Sequence, residues 1–448
     1  MSLKHPVIAI LVTLDTKESE GFFLKERIRA NGGLGFLIDI SMRKHQPKLG
    51  EADVSNELLA KLAGSSIEEL NNADRIKAQE IIARGAITLL KKKIADGEID
   101  GVIGIGGSTG LGIVSMIMRE LPMLMPKVMV TTAVSEACNA TLGLDVIVVW
   151  SITDFSGGTS INSIEAEVLN RVAAMIVKAS SPAPVSIEKK PVILASQFGN
   201  TTPFIIVAKE FLSGRGYDFI SFHALGRTGG YILEKLISST HVVGVLDVTT
   251  HELTDELLGG VLNASVNGVT RLTTAGRLGV PQVVLPGGVE QIVFWRPESV
   301  PDKFRGRCVY EHSKGLVTLV RATGDELYAV GKLMAERLNI SKGPTAVVFP
   351  LRGFGIIDND PHIKPTNFPP GAYCQELVFQ EGKLVFKQTN RPWFDKEANL
   401  QLLRALLEDL DLSKPNIDLI IVDHNINDPE VAILSSEILH NMIKGIWR

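Results

Sequence analysis

Cysteine is nearly missing from this chain: Cys138, Cys308 and Cys374 are the whole set in 448 residues. They stand far apart and none are paired at zinc-ligand spacing. A scattered, odd-numbered set argues against a disulfide framework and fits a reducing compartment, the cytoplasm. Charge of one sign is lacking as well. Lys and Arg number 46 against 50 Asp and Glu, and the net charge is −4. The signs are mixed along the chain, so no basic stripe offers itself to nucleic acid. Long apolar runs are scarce. Residues 101–118 carry no charge, but their glycines, Ser108 and Thr109 fit a strand, a turn and a helix better than a membrane span. The first apolar run is short and ends at Asp15 and Lys17, which does not read as a signal peptide. The nine histidines include no pair at i, i+4. No His-Glu-x-x-His run occurs. Iron-dependent alcohol dehydrogenases also carry Gly-Gly-Ser loops, but their clustered histidines are not found here.

What is present is ordinary globular composition, 45% hydrophobic and 21% charged, in a chain longer than one core usually serves. Apolar strand-like runs alternate with amphipathic helix-like runs. In the first half the strands fall at 7–12, 35–40, 101–105, 128–131 and 145–150. In the second they fall at 192–195, 219–222, 242–246, 282–285, 346–350 and 419–422. Residues 43–73 and the stretch after Pro301 read as irregular. The pattern predicts an α/β protein of two Rossmann-like domains, each a mainly parallel sheet flanked by helices. Ser180-Ser181-Pro182-Ala183-Pro184 and Glu188-Lys189-Lys190-Pro191 read as a linker, giving domains at 1–182 and 190–448.

Two segments of the first half point to phosphate. Gly104-Ile105-Gly106-Gly107-Ser108-Thr109-Gly110 follows a strand and opens a helix. Glycines let backbone N–H groups approach an anion, and the helix N-terminus favours negative charge. Gly106, Gly107, Ser108 and Thr109 are the candidate contacts; the alternative is a purely structural turn. Thr13-Leu14-Asp15-Thr16-Lys17 ends the first strand, where ligands lie in open parallel sheets. Thr13 and Thr16 can donate to phosphate oxygens, Lys17 can neutralise one, and Asp15 can hold a hydrated Mg²⁺. The alternative is a helix cap by Asp15 or Thr16.

The second half repeats the theme. Gly226, Arg227 and Thr228 follow a strand that ends near His223, and Gly287 and Gly288 follow another. They suggest a second anion site, for an organic acid or sugar phosphate, against a reading as connecting turns. Asp247, Thr249, Thr250 and Glu252 cluster after the strand at 242–246. Asp247 and Glu252 are candidate bases, and the threonines candidate oxyanion donors or helix caps. His424 follows the last strand and can exchange a proton near neutral pH. Asp428 before Pro429 suits a helix cap. Arg352, with Gly353, is a further anion contact.

These segments, in their order, resemble the ATP-binding domain of the tomato mosaic virus resistance protein and its bacterial relatives. The resemblance rests on Thr13–Lys17, Gly104–Ser108, Lys127–Val130, Thr201-Thr202-Pro203, Gly244–Thr250, Gly279–Val284 and His424–Pro429. It implies two Rossmann-like subdomains, ATP with Mg²⁺ in the first, and a homodimer. It carries nucleotide contact onto 13–17 and 106–109. The chain departs from the family's pattern at Asp154-Phe155-Ser156-Gly157-Gly158-Thr159 and at Pro286-Gly287-Gly288-Val289-Glu290. The expected function is ATP- and Mg²⁺-dependent action on a small acidic or sugar-like metabolite in an interdomain cleft. His223, Asp247, Glu252 and His424 are the proton-transfer candidates. A non-catalytic, nucleotide-dependent protein-binding module and an ATP-independent sugar-acid lyase or isomerase are the alternatives.

Overall fold

The computed structural model describes residues 5–158, 160–183, 188–238, 241–365 and 367–447. The chain divides into two compact units, Met1–Ser186 and Ile187–Arg448. Residues 184–187 of the linker, and Thr159, lie outside the described residues.

The first unit carries strands β1 (Val7–Val12), β2 (Leu34–Asp39), β3 (Gly101–Gly106), β4 (Lys127–Thr131) and β5 (Ile147–Trp150). They pair in the order β2-β1-β3-β4-β5, all parallel. β1 is apolar at every position because both of its faces are covered. Ile8, Ile10 and Val12 pack against helices Leu14–Ala30 and Ser163–Ala179. Ala9 and Leu11 pack against helices Arg75–Ala95 and Ser108–Arg119. The segment expected to be irregular at 43–73 holds two short helices, Asn56–Leu62 and Ile67–Asn72. Ser55 caps one, and a reciprocal Ser66–Glu69 capping box starts the other. Two turns of helix are too short to register as a period in the sequence.

The second unit runs through β6 (Val192–Gln197), β7 (Asp218–His223), β8 (Val242–Asp247), β9 (Gln282–Val284), β10 (Gln291–Phe294), β11 (Val309–His312), β12 (Val317–Arg321), β13 (Thr345–Pro350), β14 (Tyr373–Gln380), β15 (Lys383–Pro392) and β16 (Ile417–Val422). Six form a parallel sheet in the order β16-β13-β9-β8-β6-β7. The other five form an antiparallel sheet, β10-β12-β11-β14-β15. That second sheet corrects the expectation of irregular chain after Pro301.

The pairing of β11 with β14 sets Val309 opposite Gln375. It thereby brings Cys308 and Cys374 together, and the two are disulfide-bonded. This corrects the reading that the scattered cysteines exclude a disulfide. No helix among the described residues is long and apolar enough to cross a membrane.

Candidate functional site

In the first unit, β1 and β3 are neighbours, but the helices after them cover opposite faces of the sheet. Their carboxyl ends therefore open a crevice at the topological switch point. The two loops singled out in the sequence, 13–17 and 106–109, follow these adjacent strand ends.

The two helix N-termini at this crevice differ in where their N–H groups go. In helix Leu14–Ala30, Leu14 N–H donates to Asp39 Oδ1 at 3.2 Å and Asp15 N–H to Ser41 Oγ at 3.0 Å. Thr16 and Lys17 N–H both donate to the Thr13 carbonyl, at 3.2 and 2.9 Å. Asp39 is buried, and burial holds its pKa above the ordinary value against the bonds from Ser41 and Leu14. This helix end is internally satisfied. Its cap position is Thr13, so Asp15 and Thr16 lie inside the first turn with exposed side chains. Lys17 departs from helical geometry and its ammonium donates to Thr16 Oγ1 at 3.3 Å.

Helix Ser108–Arg119 begins after Gly107 with no side-chain cap. The N–H groups of its first turn have no partner within the helix by construction of the α-helix. Gly106 is required by packing, because a Cβ there would meet Gly110 Cα at 2.7 Å. Gly107 is not: the closest approach of a Cβ would be 3.4 Å, to Thr132 Oγ1. Thr109 Oγ1 accepts a hydrogen bond from the Arg75 guanidinium. Arg75, at the start of its helix, was not read from the sequence; it is 34 residues away and no local pattern marks it.

The loop at 151–158 closes on the same region. A Cβ on Gly157 would meet the Thr16 carbonyl oxygen at 2.3 Å, and Gly157 N–H donates to Glu20 Oε1 at 3.1 Å. Burial, with Glu20 nearby, lifts the Glu165 pKa to about 7.

The second unit shows the same topology, with the carboxyl ends of β6 and β8 side by side. Here the polar groups are satisfied by one another. Arg271 is fully buried and its guanidinium donates to Asp247 at 2.5 and 2.7 Å, to Glu252 Oε2 at 2.6 Å and to Glu234 Oε1 at 3.4 Å. Asp247 also accepts from Ser196 Oγ at 2.6 Å. Glu252 Oε1 accepts the N–H groups of Gly226 and Gly230, at 2.7 and 3.1 Å. Burial raises the Glu252 pKa against the pull of Arg271. Thr249 and Thr250 are buried, bonded to Thr201 Oγ1 at 2.8 Å and the Leu285 carbonyl at 2.9 Å respectively. Gly287 and Gly288 N–H donate to the carbonyls of Val248 and Phe354, at 3.0 and 3.1 Å.

The remaining candidates are dispersed. Arg227 and Thr228 are exposed. His223 stands edge-on to Phe198, and partial burial lowers its pKa. Arg352 forms a two-pronged ion pair with Asp423 on the surface, at 2.9 and 2.7 Å. His424 Nδ1 lies 3.1 Å from Asp428 Oδ2, beyond β16 at the sheet's edge. Asp428 occupies the cap position before Pro429, but its carboxylate bonds Asn425 N–H rather than the helix. Sequence reasoning missed Arg271, Glu234 and His251. The last is fully buried, stacked on Phe198 at 4.2 Å, with its pKa driven by burial down to about 3. No group of three or more His, Cys, Asp or Glu among the described residues is arranged to hold a metal ion. The surface hollow lined by Gly64, Glu68, Lys77 and Arg84 contains no residue of either glycine loop.

Residues 6–183 match the N-terminal domain, and residues 190–365 the C-terminal domain, of the family described as uncharacterised protein family UPF0261. A UPF0261 protein of Clostridium tetani is 36% identical over 444 residues, covering 98% of this chain and 99% of its own length. A second, from Rhizobium meliloti, is 33% identical and covers 78% of this chain and 85% of its own. The ToMV susceptible protein tm-1(GCR26) of Solanum lycopersicum is 29% identical over 374 residues, 79% of this chain and 48% of that protein.

Proposed function

This chain belongs to the UPF0261 family, and we propose that its first unit binds ATP with Mg²⁺ at the β1/β3 switch point, for action on a small acidic or sugar-like metabolite. The observation that carries the reading is the uncapped helix end after Gly107. An uncapped N-terminus of a 12-residue helix presents N–H donors and about half a positive charge to an anion. Gly107 adds to this, because packing within the chain does not demand a glycine there. A ligand approaching the backbone would.

In this reading the N–H groups of Ser108, Thr109 and Gly110 seat a phosphate. Lys17 and Arg75 neutralise its charge, and the hydroxyls of Thr13 and Thr16 donate to it. No group among the described residues forms a cage for a metal, so Mg²⁺ fits as an ion carried on the phosphate oxygens, with Asp15 as one contact through its hydration shell. Bound ATP would supply a transferable phosphoryl group; the chain's own part is to seat and orient it. A cytoplasmic homodimer completes the proposal, its location no longer resting on the cysteines, since Cys308 and Cys374 are disulfide-bonded. One observation favours the non-catalytic alternative: Asp247 and Glu252 are saturated by Arg271, Ser196 and two backbone N–H groups. Carboxylates bound in this way are poor proton acceptors.

Calorimetric and thermal-shift titration with ATP, with and without Mg²⁺, tests the seat. A ligand at 100 times its Kd adds about 2.7 kcal/mol of stability. Lys17→Ala should abolish the Mg²⁺-dependent shift. Gly107→Ala should leave the melting temperature without ligand unchanged and weaken ATP at least about tenfold, since only the ligand meets the new methyl. Wild-type affinity in both variants would remove the nucleotide from this crevice.

A further inference from the structure

Among the described residues, six buried side-chain polar atoms without a hydrogen-bond partner sit on five residues of the second unit, three of which touch Arg321. They are Asn200 Nδ2, Glu290 Oε1 and Oε2, Asp358 Oδ1, Asn359 Nδ2 and Trp393 Nε1. The hydrogen bonds of Arg321 draw the group together. Its guanidinium donates to the Glu290 carbonyl at 3.2 Å, the Trp393 carbonyl at 3.0 Å and Asn399 Oδ1 at 2.6 Å, and lies 3.6 Å from Asp358 Oδ1. Asn399 in turn donates to Asp358 Oδ2 at 2.8 Å. Asn200 Oδ1 accepts from Ile357 N–H at 2.9 Å, one residue before Asp358. Trp393 lies near enough to influence Glu290, but the two do not meet in hydrogen-bond geometry.

A buried polar group with no partner costs about 1–3 kcal/mol, and native proteins keep few of them. Four such atoms on the three residues that touch Arg321 are a concentration that packing alone does not explain. They belong at the place where ligands bind in such sheets: Asn200 follows β6, and Asp358 and Asn359 lie in the long connection after β13. The antiparallel sheet contributes Arg321 from β12, and Glu290 immediately precedes β10.

The atoms also specify a chemical class. They comprise two carboxyl groups and three N–H donors, a mixture of donors and acceptors that suits hydroxyl groups, each able to donate and accept. Trp393 belongs to a buried apolar cluster with Phe198, Cys308 and Cys374, so apolar side chains adjoin its indole N–H. An anion is disfavoured: the guanidinium of Arg321 is already engaged, with Asp358 among its partners. We propose that the second unit holds a buried site for an uncharged polyhydroxylated small molecule, a sugar or polyol, lined by Asn200, Glu290, Asp358, Asn359 and Trp393. The proposal rests on the functional reading above only in giving the metabolite to this unit. Entry requires movement of the connection after β13, because Asp358 and Asn359 are part of it.

The test is calorimetry on the full-length protein without nucleotide, with D-glucose, D-xylose, D-glucitol and myo-inositol as probes and gluconate and glucose 6-phosphate as charged counterparts. At least one neutral probe should bind one-to-one, and the charged counterparts at least tenfold more weakly. Trp393→Phe keeps an aromatic ring and removes the donor; it should weaken binding about tenfold and leave ATP titration unchanged. Binding by no neutral probe would mean that ordered water alone meets these atoms and would overturn the proposal. So would equal binding of gluconate. Because nucleotide is absent, failure of the ATP reading leaves this result standing, and the reverse holds too.

Discussion

Glu290 gives a pH dependence whose sign and size can be worked out. It is fully buried with neither carboxyl oxygen bonded. Burial lifts its pKa from 4.5 to about 8; Asp358 pushes the same way, and Arg321 and Trp393 pull back. In the unfolded chain it is an ordinary carboxyl. The folded protein at pH 7 therefore holds a proton that the unfolded chain has lost. Keeping a proton about 2.5 units above the ordinary pKa costs about 3 kcal/mol, at roughly 1.4 kcal/mol per unit. The sign follows from the raised value: the contribution is fully present below pH 4.5 and is lost as pH rises toward 8. Glu290→Gln has the same shape and needs no proton. Its new amide donor adds a cost that does not vary with pH, so that cost cancels when two pH values are compared. Urea unfolding read by the second unit's tryptophans, Trp295, Trp393 and Trp447, measures the effect. The stability of Glu290→Gln relative to the parent should rise by about 3 kcal/mol between pH 4.5 and pH 7.5. Parallel profiles, differing by less than about 1 kcal/mol over that range, would show that Glu290 is ionised in the fold.

Two further changes probe the second unit. Arg271→Met leaves Asp247, Glu252 and Glu234 buried without their cation and should cost about 3–5 kcal/mol; a loss under about 1 kcal/mol in the same urea assay would refute the hub. Cys308 and Cys374 are 66 residues apart in sequence. Chain entropy assigns such a bridge about 4 kcal/mol, so reductant should lower the urea midpoint, and an unchanged midpoint would mean the bridge does not support the antiparallel sheet.

The parallel sheets were legible because their strands are buried on both faces and read as short continuous apolar runs, as 101–105 and 346–350 do. β14 and β15 were not, because their side chains alternate between half-buried and exposed without a clean apolar face. The loop at 106–109 was legible because strand, glycines and helix are consecutive. Arg75 was invisible for the opposite reason: it reaches Thr109 only through the packing of one helix against the next. The Cys308–Cys374 bridge was hidden likewise, since a register between β11 and β14 creates it and spacing does not. Arg271 follows an irregular segment, and nothing local says that three carboxylates from other elements converge on it.

A glycine-rich loop after a strand was read in both halves as an anion seat, and the two outcomes differ for one physical reason. Such a loop offers N–H groups, and what matters is whether a side chain of the same protein already holds them. In the second unit a carboxylate does: Glu252 accepts Gly226 and Gly230 N–H where a bound anion would. An incoming phosphate would have to displace Glu252, which Arg271 also binds at 2.6 Å. In the first unit no side chain caps the helix after Gly107. The sequence motif alone does not separate these cases, because the residue that decides lies 26 positions from Gly226. The proposed anion seat therefore falls in the first unit, and the proposed site for uncharged hydroxyl groups in the second.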